Sequence, residues 1–270
     1  MSCQLRETRS AFTLVELLVI ITIVAILISL VIVGLSGSRK VAVDTQCLNN
    51  ERSCSMAVLA YSGDYKDSFP CFAKRQYSAA IDNGGLLLDY FQQSRHWPLA
   101  LRGYIGDAPL AQVQLCPAMF RAISPGFPEW FASFPKDYIQ PSDYEMGFGF
   151  FSDPGMWKTG VPQPLITDST LLRPVRVDEV TFPSGKGLLI EATSWHQLKN
   201  WRLDEIYQSS IERPEGAQAS YPIHAVDGSG KYRNYSMLTP GWLQNQPGLT
   251  WAPAVLRTSD GARGRDWAGN

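Results

Sequence analysis

The residues able to do chemistry are few and widely spaced in this 270-residue chain. Its histidines are His96, His196 and His224, and none stands in an HExxH pair or beside a metal-ligand partner at helical spacing. The sequence contains no GxSxG, no P-loop and no GxGxxG ahead of a helix. A serine, a histidine and an aspartate can be picked from any chain of this length, so no catalytic set is assigned and no enzyme is expected. The cysteines say more. Cys3 falls in a short basic leader, which leaves Cys47, Cys54, Cys71 and Cys116, and an even number suggests disulfides in an extracytoplasmic domain. Cys47 and Cys54 lie two helical turns apart, about 10 Å at the helical rise, too far to bridge each other within a helix. Each would need Cys71 or Cys116, unless they are buried thiols. A metal at these cysteines is disfavoured, because neither a CxxC pair nor a histidine cluster accompanies them in the sequence.

One more residue asks for a partner. Glu16 is the single charge in Ala11–Leu35, an otherwise apolar run with three hydroxyl residues, Thr13, Thr22 and Ser29. About 20 apolar residues in a helix cross a bilayer core of roughly 30 Å. Pro is absent from the run and Gly does not occur before Gly34, so a membrane-spanning helix is expected. A carboxylate there costs a few kcal/mol unless it sits near the membrane surface or is paired. A secretory signal peptide has a shorter apolar core, of about 7–15 residues, ending at a small-residue site. Gly34–Ser38 has that look, but the run is longer and contains Glu16. Arg6 and Arg9 favour a cytoplasmic leader, although Arg39 and Lys40 lie just past the other end.

Arg9-Ser10-Ala11 followed by Phe12-Thr13-Leu14-Val15-Glu16 and a long apolar helix resembles the prepilin leader of type IV pilins and type II secretion pseudopilins. The family's usual residue before the cut is Gly; the next smallest, Ala11, stands here. The resemblance implies cleavage between Ala11 and Phe12 by a prepilin peptidase and N-methylation of Phe12. It implies that Glu16 serves assembly by facing the terminal amine of a neighbouring subunit. A buried charge compensated only at one axial offset would set register between helices. Gln46–Pro70 is similar, more loosely, to pilin-like proteins of planctomycete-type bacteria, as are Cys116-Pro117, the strand after Pro183-Ser184 and the His224…Asp227-Gly228 stretch. At least one bridge pinning the helix to the body is expected, and beside that likeness Cys47–Cys116 is the favoured pair. Some pseudopilins hold Ca²⁺ in a C-terminal loop; here Asp227, with Gly228 and Ser229, is the best candidate and Asp260-Gly261 the next. Both read more simply as Asp-Gly turns.

Composition bounds the rest. A net charge of −1 gives no case for nucleic-acid partners, and 22 Gly, 18 Pro and only 18% charged residues point to a loop-rich body. Val43, Cys47, Cys54, Val58 and Tyr61 keep helical spacing, so the helix is expected to continue, amphipathic, to about Ser62-Gly63. Trp97–Tyr104 reads as a short helix or strand and Pro117–Pro141 as an aromatic surface insertion. Strands are expected at Tyr144–Phe151 and Gly187–Ala192, and Ser229–Leu238 as the return of a hairpin turned by Gly228 and Gly230. Ser259–Asn270 reads as a flexible tail.

The expected architecture is α+β and pilin-like: a long N-terminal helix on an antiparallel sheet with long loop insertions. Its parts would be a leader (1–11), a transmembrane helix (12–35), an amphipathic continuation (36–66), a periplasmic globular domain (67–258) and the tail (259–270). The expected function is a structural subunit of a type IV pilus-like filament or secretion pseudopilus, stored single-pass in the inner membrane. Its partners would be the prepilin peptidase and other pilin subunits. The alternative is a glycan-binding or hydrolytic domain that uses the helix as a plain anchor, with Trp130, Phe131 and Phe134 as a candidate groove.

Overall fold

The first proline of the chain is Pro70, and ahead of it α1 (Leu14–Asp64) runs unbroken for 51 residues, about 75 Å at the α-helical rise. The computed structural model describes residues 13–71, 94–105, 112–119, 142–158, 173–191, 195–196, 220–239, 255 and 258–267. The chain divides into two compact units, Met1–Val43 and Asp44–Asn270.

In the first unit, the large apolar side chains from Leu14 to Ile32 are 46–80% exposed on all sides of the helix. A helix apolar all round has no solvated face, the pattern of a membrane span. This helix is long and apolar enough to cross a bilayer. Its hydroxyls turn inward. Thr22 Oγ1 donates to the carbonyls of Leu18 (3.1 Å) and Val19 (2.8 Å), and Ser29 Oγ to that of Ile26 (2.7 Å). Such back-bonding leaves no hydroxyl unsatisfied in an apolar solvent.

In the second unit the helix turns one stripe toward the body. Cys47, Glu51, Cys54, Val58 and Ser62 are buried and Asp44 half-buried, a spacing of three and four residues that keeps one face inward. The helix ends one residue past Gly63, and Lys66 and Asp67 follow with left-handed φ of 57° and 58°. This part of the helix therefore turns one face inward, and two positions on that face are carboxylates, Glu51 buried and Asp44 half-buried.

The body is built on a four-stranded antiparallel sheet in the order β1 (Tyr144–Met146), β2 (Gly187–Glu191), β3 (Ser220–Ala225), β4 (Gly230–Asn234). Register pairs Tyr144 with Glu191, Leu189 with His224, His224 with Gly230 and Pro222 with Tyr232. Cross-strand partners share a face, so Tyr144, Glu191, His224 and Tyr232 stand on one side. The second part of α1 lies across that side. Tyr144 OH donates to the Cys47 carbonyl (3.3 Å), Tyr232 OH to that of Asp44 (2.9 Å), and the His224 N–H to Glu51 Oε1 (3.2 Å). The α+β architecture, with a long helix on an antiparallel sheet, is thus as the sequence suggests.

The expected strands are shorter than their sequence patterns. β1 gives way to a 3₁₀ turn at Phe148–Phe150, and β4 to another at Tyr235–Met237. Trp97–Leu101 is 3₁₀ and Arg102–Ile105 a single α turn. The β3–β4 turn uses Gly228 at φ 82°, where an L residue is strained, and at Gly230 a Cβ would strike the His224 imidazole. Of the aromatic insertion, residues 120–141, including Trp130, Phe131 and Phe134, lie outside the described residues.

The C-terminal segment is a correction. Ser259–Asn270 was expected as a flexible tail, yet 258–267 is folded into the body, with Asp266 fully buried and Trp267 2% exposed. Asp266 Oδ2 accepts from the Gly187 N–H (2.8 Å), and Asp266 Oδ1 lies 3.2 Å from Lys186 Nζ, with Thr258 Oγ1 bonded to both side chains. Trp267 Nε1 donates to the Ser184 carbonyl (3.1 Å), and the Arg233 guanidinium stacks 3.9 Å over its ring. Burial pulls the Lys186 ammonium down in pKa, against the charge of Asp266. Composition suggested a solvated tail; a single buried ion pair and one tryptophan overrule it.

Candidate functional site

Two places carry groups that ask for a partner. At the start of α1 the sequence Thr13-Leu14-Val15-Glu16 forms a reciprocal cap. The Thr13 hydroxyl accepts from the Glu16 N–H (3.2 Å), and Glu16 Oε2 accepts from the Thr13 N–H and hydroxyl, both at 2.8 Å. This is the capping box that Ser/Thr-x-x-Glu encodes, a four-residue signal present in the sequence itself. In the isolated chain Thr13 thus supplies the Glu16 carboxylate with two donors. Ala11 and Phe12, the processing pair, lie outside the described residues.

The second place is in the body, where α1 meets the sheet. Cys47 is joined to Cys116 by a disulfide. Of the other candidate cysteines, Cys54 is a buried thiol that donates to the Val113 carbonyl (3.4 Å) and Cys71 a thiol directed to that of Phe151 (3.7 Å). Burial pushes the Cys54 thiol up, reinforced by Glu51. One turn before Cys47, Asp44 Oδ1 lies 2.6 Å from His196 Nδ1. A carboxylate only accepts, so Nδ1 donates to Asp44 and the ring turns Nε2 to the other side. That Nε2 lies 3.3 Å from Cys116 Sγ, 3.3 Å from Tyr232 OH and 3.6 Å from Glu191 Oε1. Cys116 is held from its other side by its N–H, which donates to Asp143 Oδ2 (2.8 Å).

The electrostatics of this locus are one-sided. Glu191 is fully buried, and neither of its carboxylate oxygens has a hydrogen-bond partner among the described residues. Burial drives its pKa up, and the neighbouring charges of Asp143, Glu51 and Asp44 push the same way. Burial also raises Asp143, to about 6, against the Cys116 N–H and Arg95. Glu51 is raised by burial too, with His224 opposing. A buried carboxyl group without donors costs several kcal/mol if ionised, so the locus favours a proton or a cation.

No family model, no curated protein and no solved structure matches this chain. Function has therefore to be read from the residues themselves.

The sequence-derived site residues fare unequally. Cys47 and Cys116 are brought together; Cys54 and Cys71 are not in the bridge. Asp227 is exposed and closes its own turn, with Oδ1 accepting from the Ser229 N–H (2.9 Å) and hydroxyl (2.6 Å). It gathers no other carboxylate among the described residues. Asp260 sits in a left-handed turn (φ 65°) before Gly261. In the sequence Asp44 and Glu51 read as polar residues between the apolar positions of the helix, whereas Glu51 is fully buried and Asp44 half-buried, and Glu191, His196 and Tyr232 have no assigned role. The first two were legible: Asp44, Cys47, Glu51, Cys54 and Val58 follow a three–four repeat, which puts carboxylates on an inward stripe. Glu191 and His196 carry no such signal, since the sheet brings them to a helix well over a hundred residues away in the chain.

Proposed function

We propose that this chain is a pilin-like structural subunit, held in the inner membrane by the first part of α1 and assembled through it. The observation that carries the reading is one continuous helix with two unlike halves. Its first half offers apolar side chains in every direction, and its second half is bonded into a disulfide-linked sheet body. A disulfide suits a body outside the cytoplasm. The AFTLVE segment, with its resemblance to prepilin leaders, supplies the processing step: a prepilin peptidase cuts before Phe12 on the cytoplasmic side.

Glu16 then has two states. In the unassembled chain it closes the Thr13 cap. In a filament it exchanges that local donor set for the terminal amine of the adjoining subunit, an ion pair sheltered from water and competent only at one stagger. No catalytic step belongs to this reading. The test is assembly of Glu16→Ala, scored as subunit in sheared filaments against subunit in membranes. The variant is expected to insert at wild-type levels and to be lost from filaments, whereas Thr13→Val, which keeps the carboxylate, still assembles. Wild-type filament yield from Glu16→Ala would overturn the role.

A further inference from the structure

We propose that the Cys47–Cys116 locus has a second state, in which the reduced thiols bind Zn²⁺ together with Glu191 and His196. The four donors are one atom each from Cys47 Sγ, Cys116 Sγ, His196 Nε2 and a Glu191 oxygen, and all lie within 4.8 Å of one another. Zn²⁺ with ligands at about 2.0–2.3 Å is tetrahedral, which puts its donors about 3.3–3.8 Å apart. The Cys116–His196 and His196–Glu191 separations, 3.3 and 3.6 Å, already have that size. The sulfurs, bonded to each other in the disulfide, must part to reach it.

Three features favour a cation here over an accidental cluster. His196 is oriented as a ligand: Asp44 takes its Nδ1 side, and Nε2 points at Cys116 Sγ and Glu191. Carboxylate–histidine pairs of this kind fix the tautomer and raise the basicity of a metal-bound imidazole. Glu191 is fully buried with both oxygens unpartnered and one of them aimed at the same space, so the fold holds an acceptor for which the described residues supply no donor. Finally, the donors come from four separate parts of the body: α1 (Cys47), β2 (Glu191) and two connecting segments (Cys116, His196). A metal would fasten the same elements that the disulfide fastens. The sequence argued against a metal because Cys47 and Cys116 have no CxxC spacing and no histidine nearby; the fold supplies the histidine.

The two states interconvert by a balanced exchange. Zn²⁺ binding to the dithiol releases both thiol protons, and that of Glu191 when protonated, to solvent. Oxidation by a partner disulfide then joins Cys47 Sγ to Cys116 Sγ, the partner takes their two electrons, and two protons from solvent, to become a dithiol, and Zn²⁺ departs. The zinc form therefore belongs to the chain before its thiols are oxidised, and the inference does not depend on the pilin reading.

The experiment uses the full chain in detergent micelles, reduced with a phosphine and titrated with Co²⁺, then Zn²⁺. The expected result is one Co²⁺ per chain, with thiolate-to-metal charge-transfer absorption and tetrahedral d–d bands, both abolished by Zn²⁺. Glu191→Gln and His196→Gln should each weaken Zn²⁺ binding at least tenfold, and Asp44→Asn by about 10–100-fold. The oxidised chain should show no such absorption. Because reduction alone can loosen the body, the thermal midpoint is a second readout, and Zn²⁺ should raise it in the reduced chain but not in the oxidised one. A reduced chain lacking the charge-transfer band, or one whose midpoint Zn²⁺ leaves unmoved, would overturn the proposal. So would a band undiminished in the Cys47→Ser/Cys116→Ser double variant, which would assign it to Cys54 or Cys71.

Discussion

The two halves of α1 handle polar residues in opposite ways. Between Thr13 and Ile32 every polar side chain bonds within its own turn, to a partner three or four residues away. From Asp44 onward the carboxylates of the inward stripe reach across the fold, Asp44 to His196 and Glu51 to the backbone of His224, at separations of 152 and 173 residues, while the Ser62 hydroxyl still bonds locally to the Val58 carbonyl. The first half is a helix that needs nothing from the rest of the chain. The second is a helix whose buried charges make sense only against a formed sheet. Local satisfaction suits a lipid solvent, in which polar partners are scarce. Long-range satisfaction ties the helix to one arrangement of the body.

The difference predicts where substitutions hurt. The largest effect is expected in the body, at a pair with no local substitute. Asp266→Ala leaves the Lys186 ammonium buried and the Gly187 N–H unpaired, and should cost about 3–5 kcal/mol in denaturant titration. Next comes Cys116→Ser. The bridge spans a sequence separation of 69 residues, and its loss is expected to cost about 2–4 kcal/mol under non-reducing conditions. A cost near zero would mean that Asp44–His196 and Glu51–His224 hold the helix without it.

A smaller effect is expected from acid. The Arg173 guanidinium, paired with Glu179 at 2.7 Å, holds that carboxyl down at about 2, with the Arg176 N–H and Arg263 assisting. A depressed carboxyl contributes stability that is present above its ordinary value of 4.5 and is lost as pH falls toward 2. The thermal midpoint of the body should therefore drop between pH 4.5 and 2, and Arg173→Gln should flatten that part of the curve. A curve unchanged by the substitution would assign the acid sensitivity to other carboxyl groups. The smallest effects belong to the first half of α1. Thr22→Val and Ser29→Ala delete hydroxyls that bond only to their own turn, so membrane insertion and helix content should shift by less than about 0.5 kcal/mol. A large loss at either would show that this half does depend on an outside partner, and the contrast would fail.

How much was legible follows the same division. Properties set by neighbours in sequence could be read directly: the apolar span, the absence of Pro before Pro70, the amphipathic stripe, the strand at Gly187–Glu191 and the turn at Gly228. Even the Thr13–Glu16 cap was readable, since its signature is four residues long. What sequence could not supply were meetings made by tertiary structure. His196 and Glu191 reach Cys47 only because β2 lies under α1, and Lys186 finds Asp266 only because the C-terminal segment folds back. The polar, Gly-rich composition of that segment suggested solvent, while its burial rests on two residues, Asp266 and Trp267. At Asp227 the bland reading, a self-closed Asp-Gly turn, is what the structure describes.

We propose that the first half of α1 is an assembly element freed by processing, and the mature N-terminus is the place to test it. Intact and N-terminal mass spectrometry of protein from native membranes should find a chain that begins with N-methylated Phe12. An uncut chain, or a cut within residues 36–38, would contradict the account and reduce the helix to an anchor or a signal.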